Sequence, residues 1–159
     1  MKVSSLVSLA LLGLGALVSN TEAFSPARLI CLVNRERVRY GLRPLVLSRD
    51  LNDIAQEHST MQARYNSLTH DRYDHAPMNR EASRRGMQYQ SLGENVARGQ
   101  RSEEEVMNVW MNSAVHRANI LNRDYTHMGA GLDPRGNFWT QAFARVRGNI
   151  DYSRVPICP

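Results

Sequence analysis

The chain has 159 residues, 42% of them hydrophobic and 22% charged, with a net charge of +5. That is about one domain's length and an ordinary globular composition, so a fibrous, collagen-like or wholly disordered chain is excluded. Lys2 is the one lysine beside 19 arginines, so beyond the leader there is none for a phosphate loop, a Schiff base or a Ser–Lys dyad.

Residues 1–23 read as a secretory signal peptide. Lys2 is a short positive start, Leu6 to Val18 is apolar or small, and Thr21 and Ala23 put small residues before Phe24. The run is shorter than the ~20 residues of a membrane-spanning helix. A membrane anchor and a buried helix are the competing readings. Cleavage leaves 136 residues (159 − 23), and the charge stays at +5 because Lys2 and Glu22 leave together. The remainder, residues 24–159, reads as one domain, exported, extracellular and monomeric. Cys31 and Cys158 are the only cysteines. In an oxidising compartment such a pair predicts one bridge closing nearly the whole domain. Two free or intermolecular thiols are the alternative.

The spacing predicts a helix over Ala27–Tyr40, where Leu29, Ile30, Val33 and Val38 share a face and Gly41 follows as a stop. Gly41–Leu47 reads as a loop. Ser48 caps a second helix over Arg49–Tyr65, with Leu51, Ile54, Ala55, His58 and Met61 on its stripe. A polar loop over His70–Met78 leads to a short helix ending at Arg85. Leu92–Ala97, beside glycine, reads as a buried strand or a tight turn. Ser102 and Glu105 form a capping-box pattern. Ser113 is placed to cap a turn carrying His116, Ile120 and Leu121. Met128–Leu132 and Asn137–Arg145 read as strands joined by an Asp133–Gly136 turn. This order predicts an α+β fold, a three-layer α-β-α sandwich around a small antiparallel sheet. Trp110, Trp139 and Phe143 are predicted core residues.

Several familiar chemistries are missing: the sequence has no His-Glu-x-x-His, Gly-x-Ser-x-Gly or Cys-x-x-Cys. Gly129-Ala130-Gly131 does not open a helix and is no dinucleotide loop. What remains is His58, His70, Glu94 and His116. Imidazoles and a carboxylate are adequate zinc ligands, though their spacing matches no compact metal motif. His58 lies on the apolar stripe of its helix and reads as a packed histidine. His75 and His127 read as solvent-facing loop residues. The clusters Arg35, Arg37, Arg39, Arg43 and Arg80, Arg84, Arg85 read as a solvated basic surface. Attraction to anionic membrane or cell-wall surfaces is the functional alternative. Tyr40 is the single aromatic among them, too few for a stacking platform, which argues against nucleic acid.

Four stretches in order carry a resemblance: Leu51-Asn-Asp-Ile-Ala-Gln-Glu-His-Ser59, Gly93-Glu94-Asn95, Trp110-Met-Asn-Ser-Ala-Val-His-Arg-Ala-Asn-Ile-Leu121 and Phe138-Trp-Thr-Gln-Ala-Phe143. They resemble CAP-domain proteins, the superfamily of cysteine-rich secretory proteins, antigen 5 and plant pathogenesis-related proteins. The likeness is to the shorter branch found in bacteria and fungi, and it covers about Leu29 to Ala144. It implies an α-β-α sandwich, secretion and a central cleft. In animal and plant members that cleft holds two His and two Glu, and some bind a divalent metal there. His70 and Glu94 stand at two of those positions, but Ser113 and Phe138 replace the other two. His116 is the shorter branch's own histidine. The resemblance therefore implies a cleft lined by His70, Glu94, Ser113, His116 and Phe138. Members of the family bind sterols or fatty acids, act in defence or wall biology, or have been proposed as proteases. A non-enzymatic binding module for a lipid or other small apolar ligand is the first expectation. A metal-assisted hydrolase, with His70 and His116 on zinc and Glu94 as general base, is the second. An effector recognised by a host protein is the third.

Overall fold

The computed structural model describes residues 23–158, so the leader read over residues 1–23 lies, but for Ala23, outside the described residues. In chain order the elements are α1 (Pro26–Arg39), β1 (Val46–Leu47), α2 (Arg49–Tyr65), α3 (Met78–Arg84), β2 (Tyr89–Arg98), α4 (Glu103–Asn112), α5 (Ala114–Ile120), β3 (His127–Asp133) and β4 (Phe138–Val146). A single 3-10 turn follows at Tyr152–Arg154. The helix starts are built by side-chain caps. Ser25 Oγ accepts from the Arg28 N–H, Ser48 Oγ from Leu51 and Ser102 Oγ from Glu105. The capping box is incomplete, because the Glu105 carboxylate accepts from the Arg101 N–H at 2.8 Å rather than from Ser102. Ser113 occupies the N-cap position of α5 in extended conformation, but its hydroxyl makes no capping bond.

The sheet runs in the order β1-β3-β4-β2. β3–β4 and β2–β4 are antiparallel, as expected. β1 corrects the reading in two ways. It lies where a loop was predicted, and it pairs with β3 in parallel, Val46 opposite His127 and Leu47 opposite Met128. Two residues are too few to show a period of two. The β3–β4 turn is also one residue later than predicted. Asn137 N–H donates to Pro134 O at 3.4 Å, and both Gly136 and Asn137 take positive φ.

Helices cover both faces of the sheet. On one face, Leu29, Ile30 and Val33 of α1, Val106 and Trp110 of α4 and Ile120 of α5 pack with Trp139 and Phe143. On the other, Leu51, Ile54 and Ala55 of α2 and Ala82 of α3 pack on Ala142 and Ala144. The three predicted aromatic core residues are buried, and each indole N–H has an acceptor: Trp110 Nε1 donates to Val96 O and Trp139 Nε1 to Gln100 O.

The seating of α2 explains the Gly-Ala-Gly run. A Cβ on Gly129 would fall less than 3.0 Å from the backbone of Leu51 and Asn52, and one on Gly131 less than 3.0 Å from that of Gln56. Both positions are glycine so that the helix can lie directly on β3. Asn52 and Gln56 then work where β1 stops. Asn52 Oδ1 accepts from the Ala130 N–H, while Gln56 accepts from the Leu132 N–H and donates to Leu132 O.

Arg37 departs from the predicted solvated cluster. It is buried, and it donates to the carbonyls of Arg43, Ile120, Asn122 and Tyr125. Burial pulls its guanidinium down to about 10, still ionised at neutral pH. It meets the C-terminal end of α5, where the helix dipole favours a cation. Cys31 and Cys158 are bridged across 127 residues. A loop of that size stabilises by about 5 kcal/mol in the chain-entropy picture.

Candidate functional site

Glu94 lies on β2, the outer strand of the sheet, opposite Ala142. Its side chain is only 8% exposed and is enclosed by three bases. His70 Nδ1 meets Oε1 at 2.9 Å. Arg72 donates through Nη1 to Oε1 at 3.2 Å and through Nη2 to Oε2. His58 Nε2 stands 3.5 Å from Oε1. The Arg72 side chain is 7% exposed, whereas that of His70 is 60% exposed. The result is a buried carboxylate–guanidinium pair with an imidazole at its mouth.

The segment carrying His70 and Arg72 is held by α2. His58 Nε2 donates to Thr69 O at 2.8 Å, and Gln62 Oε1 accepts from the Thr69 N–H. Gln62 and Ser59 both donate to Thr140 Oγ1 of β4. This buried polar row on α2 thus fixes the residue before His70. Because Thr69 O only accepts, His58 carries its proton on Nε2, and its buried Nδ1 has no partner among the described residues. His58 is packed as expected, and it also fastens the loop.

On the other side of β2, Asn119 donates to Glu94 O and to Asn95 Oδ1. Asn95 in turn donates to His116 O and Gln141 Oε1. This amide network ties α5 to β2. A Cβ on Gly93 would strike the Tyr125 ring, which is buried and stacked on Phe143. The glycine lets the strand pass beneath α5 and Tyr125.

Each sequence-predicted residue can now be placed. His70 and Glu94 touch. His116 is half-buried, makes no bond to Glu94, and feels the His70 charge. Ser113 sits half-buried at the α4–α5 junction. Phe138 is buried four residues along β4 from Ala142, under the Arg98 guanidinium. His75 and His127 are not solvent-facing loop residues. His75 pairs with Asp74 and its Nε2 is buried, and His127 begins β3. The sequence reading missed Arg72, Gln62, Asn95 and Asn119. The Gly-Glu-Asn motif marks Asn95, but no spacing rule singles out Arg72.

Zinc does not fit this donor set. Both Glu94 oxygens accept from Arg72, so a cation already occupies the place a metal would take. Among the described residues no three His, Cys, Asp or Glu side chains gather to hold an ion. The carboxylate likewise has little freedom to act as a base.

The electrostatics give a pH signature. Burial pushes the Glu94 carboxyl up, but hydrogen bonds from His70 and Arg72 outweigh it and hold it below its ordinary value. The same bond to Glu94 raises His70. These two shifts describe one ion pair. Burial lowers His58, His116 and His127. A histidine with a lowered folded value contributes stability that is complete above its unfolded value near 6.5 and is lost as pH falls from there through the lowered folded one. His70 has the opposite sign: its contribution is complete below that value and is lost as pH rises through the raised folded one. Glu94 contributes above its unfolded value and loses this as pH falls through the lowered one. Thermal melts are therefore expected to peak near pH 6.5–7 and to decline toward pH 5, before carboxylates titrate. His58→Gln keeps a donor toward Thr69 O and removes the titration, so its decline is expected to be shallower. An unchanged acid limb in that variant contradicts this account.

The chain's residues 31–143 match the model of the CAP, or cysteine-rich secretory protein, family. It is similar to the uncharacterized protein YkwD of Bacillus subtilis, at 37% identity over 132 residues, covering 79% of this chain and 51% of that one. It is also similar to the uncharacterized membrane protein YlbC of the same organism, at 29% identity, covering 78% of this chain and 35% of that one. The chain thus spans about half or less of the length of these curated relatives. A solved extracellular protein containing an SCP domain, from Bacillus anthracis, superposes with a TM-score of 0.69 at 30% identity, over 74% of this chain and 39% of that one. The ordered motifs, the α-β-α layers and these matches agree: the chain belongs to the CAP family of cysteine-rich secretory proteins.

Proposed function

We propose that this domain is a secreted, non-enzymatic binding module for an apolar ligand with a neutral polar head, held in the groove between α1 and α4. The observation that carries the reading is a 280 Å³ groove lined by Leu32, Met107 and Met111, with Glu36 and Glu104 among its polar residues. Methionines adapt to irregular apolar shapes. The volume falls just below the ~300–1,000 Å³ of ordinary ligand pockets, which suits one acyl chain or one edge of a ring system. Glu36 and Glu104 repel a free carboxylate, while Asn108 and Asn112 offer amides to a hydroxyl or ester. Burying each methylene of such a ligand contributes about 0.8 kcal/mol. Secretion is supported by the extracellular relative and by the bridged cysteines.

The reading is tested with a fluorescent sterol, a long-chain alcohol and a fatty acid. Saturable binding is expected for the neutral ligands, weaker binding for the acid, and at least tenfold loss in Met107→Lys. The Glu94→Gln variant is expected to bind like the parent. If none of the three ligands binds saturably, the reading is wrong.

A further inference from the structure

A second cavity, of 540 Å³, shares no lining residue with the Glu94 site or the α1–α4 groove. Arg49, Arg85, Arg147, Arg154 and His127 line it, and Asp50 is the one carboxylate on its wall. These cations come from distant parts of the chain: the start of α2, the end of α3, the segment after β4 and the 3-10 turn. The fold gathers them.

What sets this cavity apart is the gathering, around one concavity, of three arginines that hold no carboxylate among the described residues. Arg85 is anchored, with Nη1 3.2 Å from Asp53 and Nη2 2.7 Å from Glu57. Elsewhere Arg39, Arg84 and Arg135 each hold a carboxylate, while Arg35, Arg43, Arg80, Arg101 and Arg123 make no ion pair among the described residues. Arg49, Arg147 and Arg154 are exposed, and among the described residues no carboxylate lies within ion-pair distance of any of them. Three unpaired guanidinium groups around one concavity repel each other, and an anion between them relieves that repulsion. The positive end of α2 opens on the same cavity and adds to its field. His127 feels that field, since the Arg154 charge adds to burial in holding its imidazole neutral.

We propose that this cavity binds a phosphate group, a mono- or diester on a polyol, through Arg49, Arg147 and Arg154. The planar, two-pronged arginine head suits phosphate oxygens and stays charged at any working pH. The cavity is larger than one phosphate needs, so it has room for the esterified polyol beside the anion. A soluble phosphate ester and a phospholipid headgroup share this chemistry. The site is independent of the apolar groove and does not rest on that reading.

His127 supplies the reporter. At pH 7.5, inorganic phosphate and glycerol 3-phosphate are titrated into the full chain while the His127 imidazole resonances are followed by NMR. Pelleting with phosphatidylglycerol vesicles, against phosphatidylcholine vesicles, is the membrane arm. A saturable His127 shift is expected, weakened at least tenfold in an Arg49→Gln, Arg147→Gln, Arg154→Gln triple variant. An Arg35→Gln, Arg80→Gln, Arg101→Gln triple removes the same charge outside the cavity and is expected to bind as the parent does. Saturable binding of the soluble phosphates makes the source a soluble ester. Pelleting with phosphatidylglycerol alone makes it a headgroup, provided that the cavity triple abolishes it and the outside triple does not. Two outcomes overturn the proposal: no saturable response to any probe, or equal loss in the two triple variants. Thermal melts of both triples confirm folding before the comparison.

Discussion

Arg37→Ala is expected to destabilise the domain by about 3–5 kcal/mol, because four carbonyls lose charge-assisted hydrogen bonds at once. The cation has no carboxylate beside it; its partners are backbone carbonyls of Arg43, Ile120, Asn122 and Tyr125. Alanine leaves all four without this donor, and those of Ile120 and Tyr125 lie in the buried interior, where each unmade bond costs roughly 1–3 kcal/mol. The sum is a large part of a typical ~5–15 kcal/mol stability. Arg37→Lys keeps the charge but not the fork, and is expected to recover part of the loss. Chemical denaturation of the three proteins checks this. A loss below 1 kcal/mol for the alanine variant contradicts the assigned role.

The second large effect is expected at Gly131. Gly131→Val puts a branched side chain where the backbone of Gln56 already lies. Overpacking in a core usually costs about 1–3 kcal/mol when side chains can shift. Here the obstacle is helix backbone, so α2 has to lift off β3. That movement breaks the bonds of Gln56 to Leu132 and loosens Leu51, Ile54 and Ala55 from the sheet. A loss above 3 kcal/mol is expected, with purified protein either unfolded or molten. A variant with the parent's near-ultraviolet dichroism and melting temperature refutes the close-approach role of the glycine.

These two residues also show where sequence reading succeeds and fails. Helix α2 was legible almost in full, because Ser48, Asp50 and the stripe of Leu51, Ile54, Ala55, His58 and Met61 act locally and agree. The strands of the β3–β4 hairpin were legible because turn residues and alternation coincide. Arg37 was not, since its helix places it among Arg35 and Arg39, and only the arrival of α5 and Tyr125 buries it. Arg72 was hidden for the same reason: its partner Glu94 is set by the path of a loop that His58 and Gln62 fasten from another helix. The family motifs brought His70 and Glu94 forward, but motif spacing carries no information about which cation neutralises the acid. β1 escaped because two residues hold their place by pairing with β3, not by any pattern of their own.

The amides of Asn52 and Gln56 have a consequence beyond the seating of α2. A strand left bare along one side is a template onto which a neighbouring molecule can add its own strand. β1 covers β3 for only two residues, and the side chains of α2 then occupy the hydrogen-bonding groups of Ala130 and Leu132 that a foreign strand would need. At the opposite margin, Asn119 and Trp110 claim the carbonyls of Glu94 and Val96. Side chains therefore occupy part of both margins of the sheet, which hinders a neighbouring copy from adding a strand at those positions.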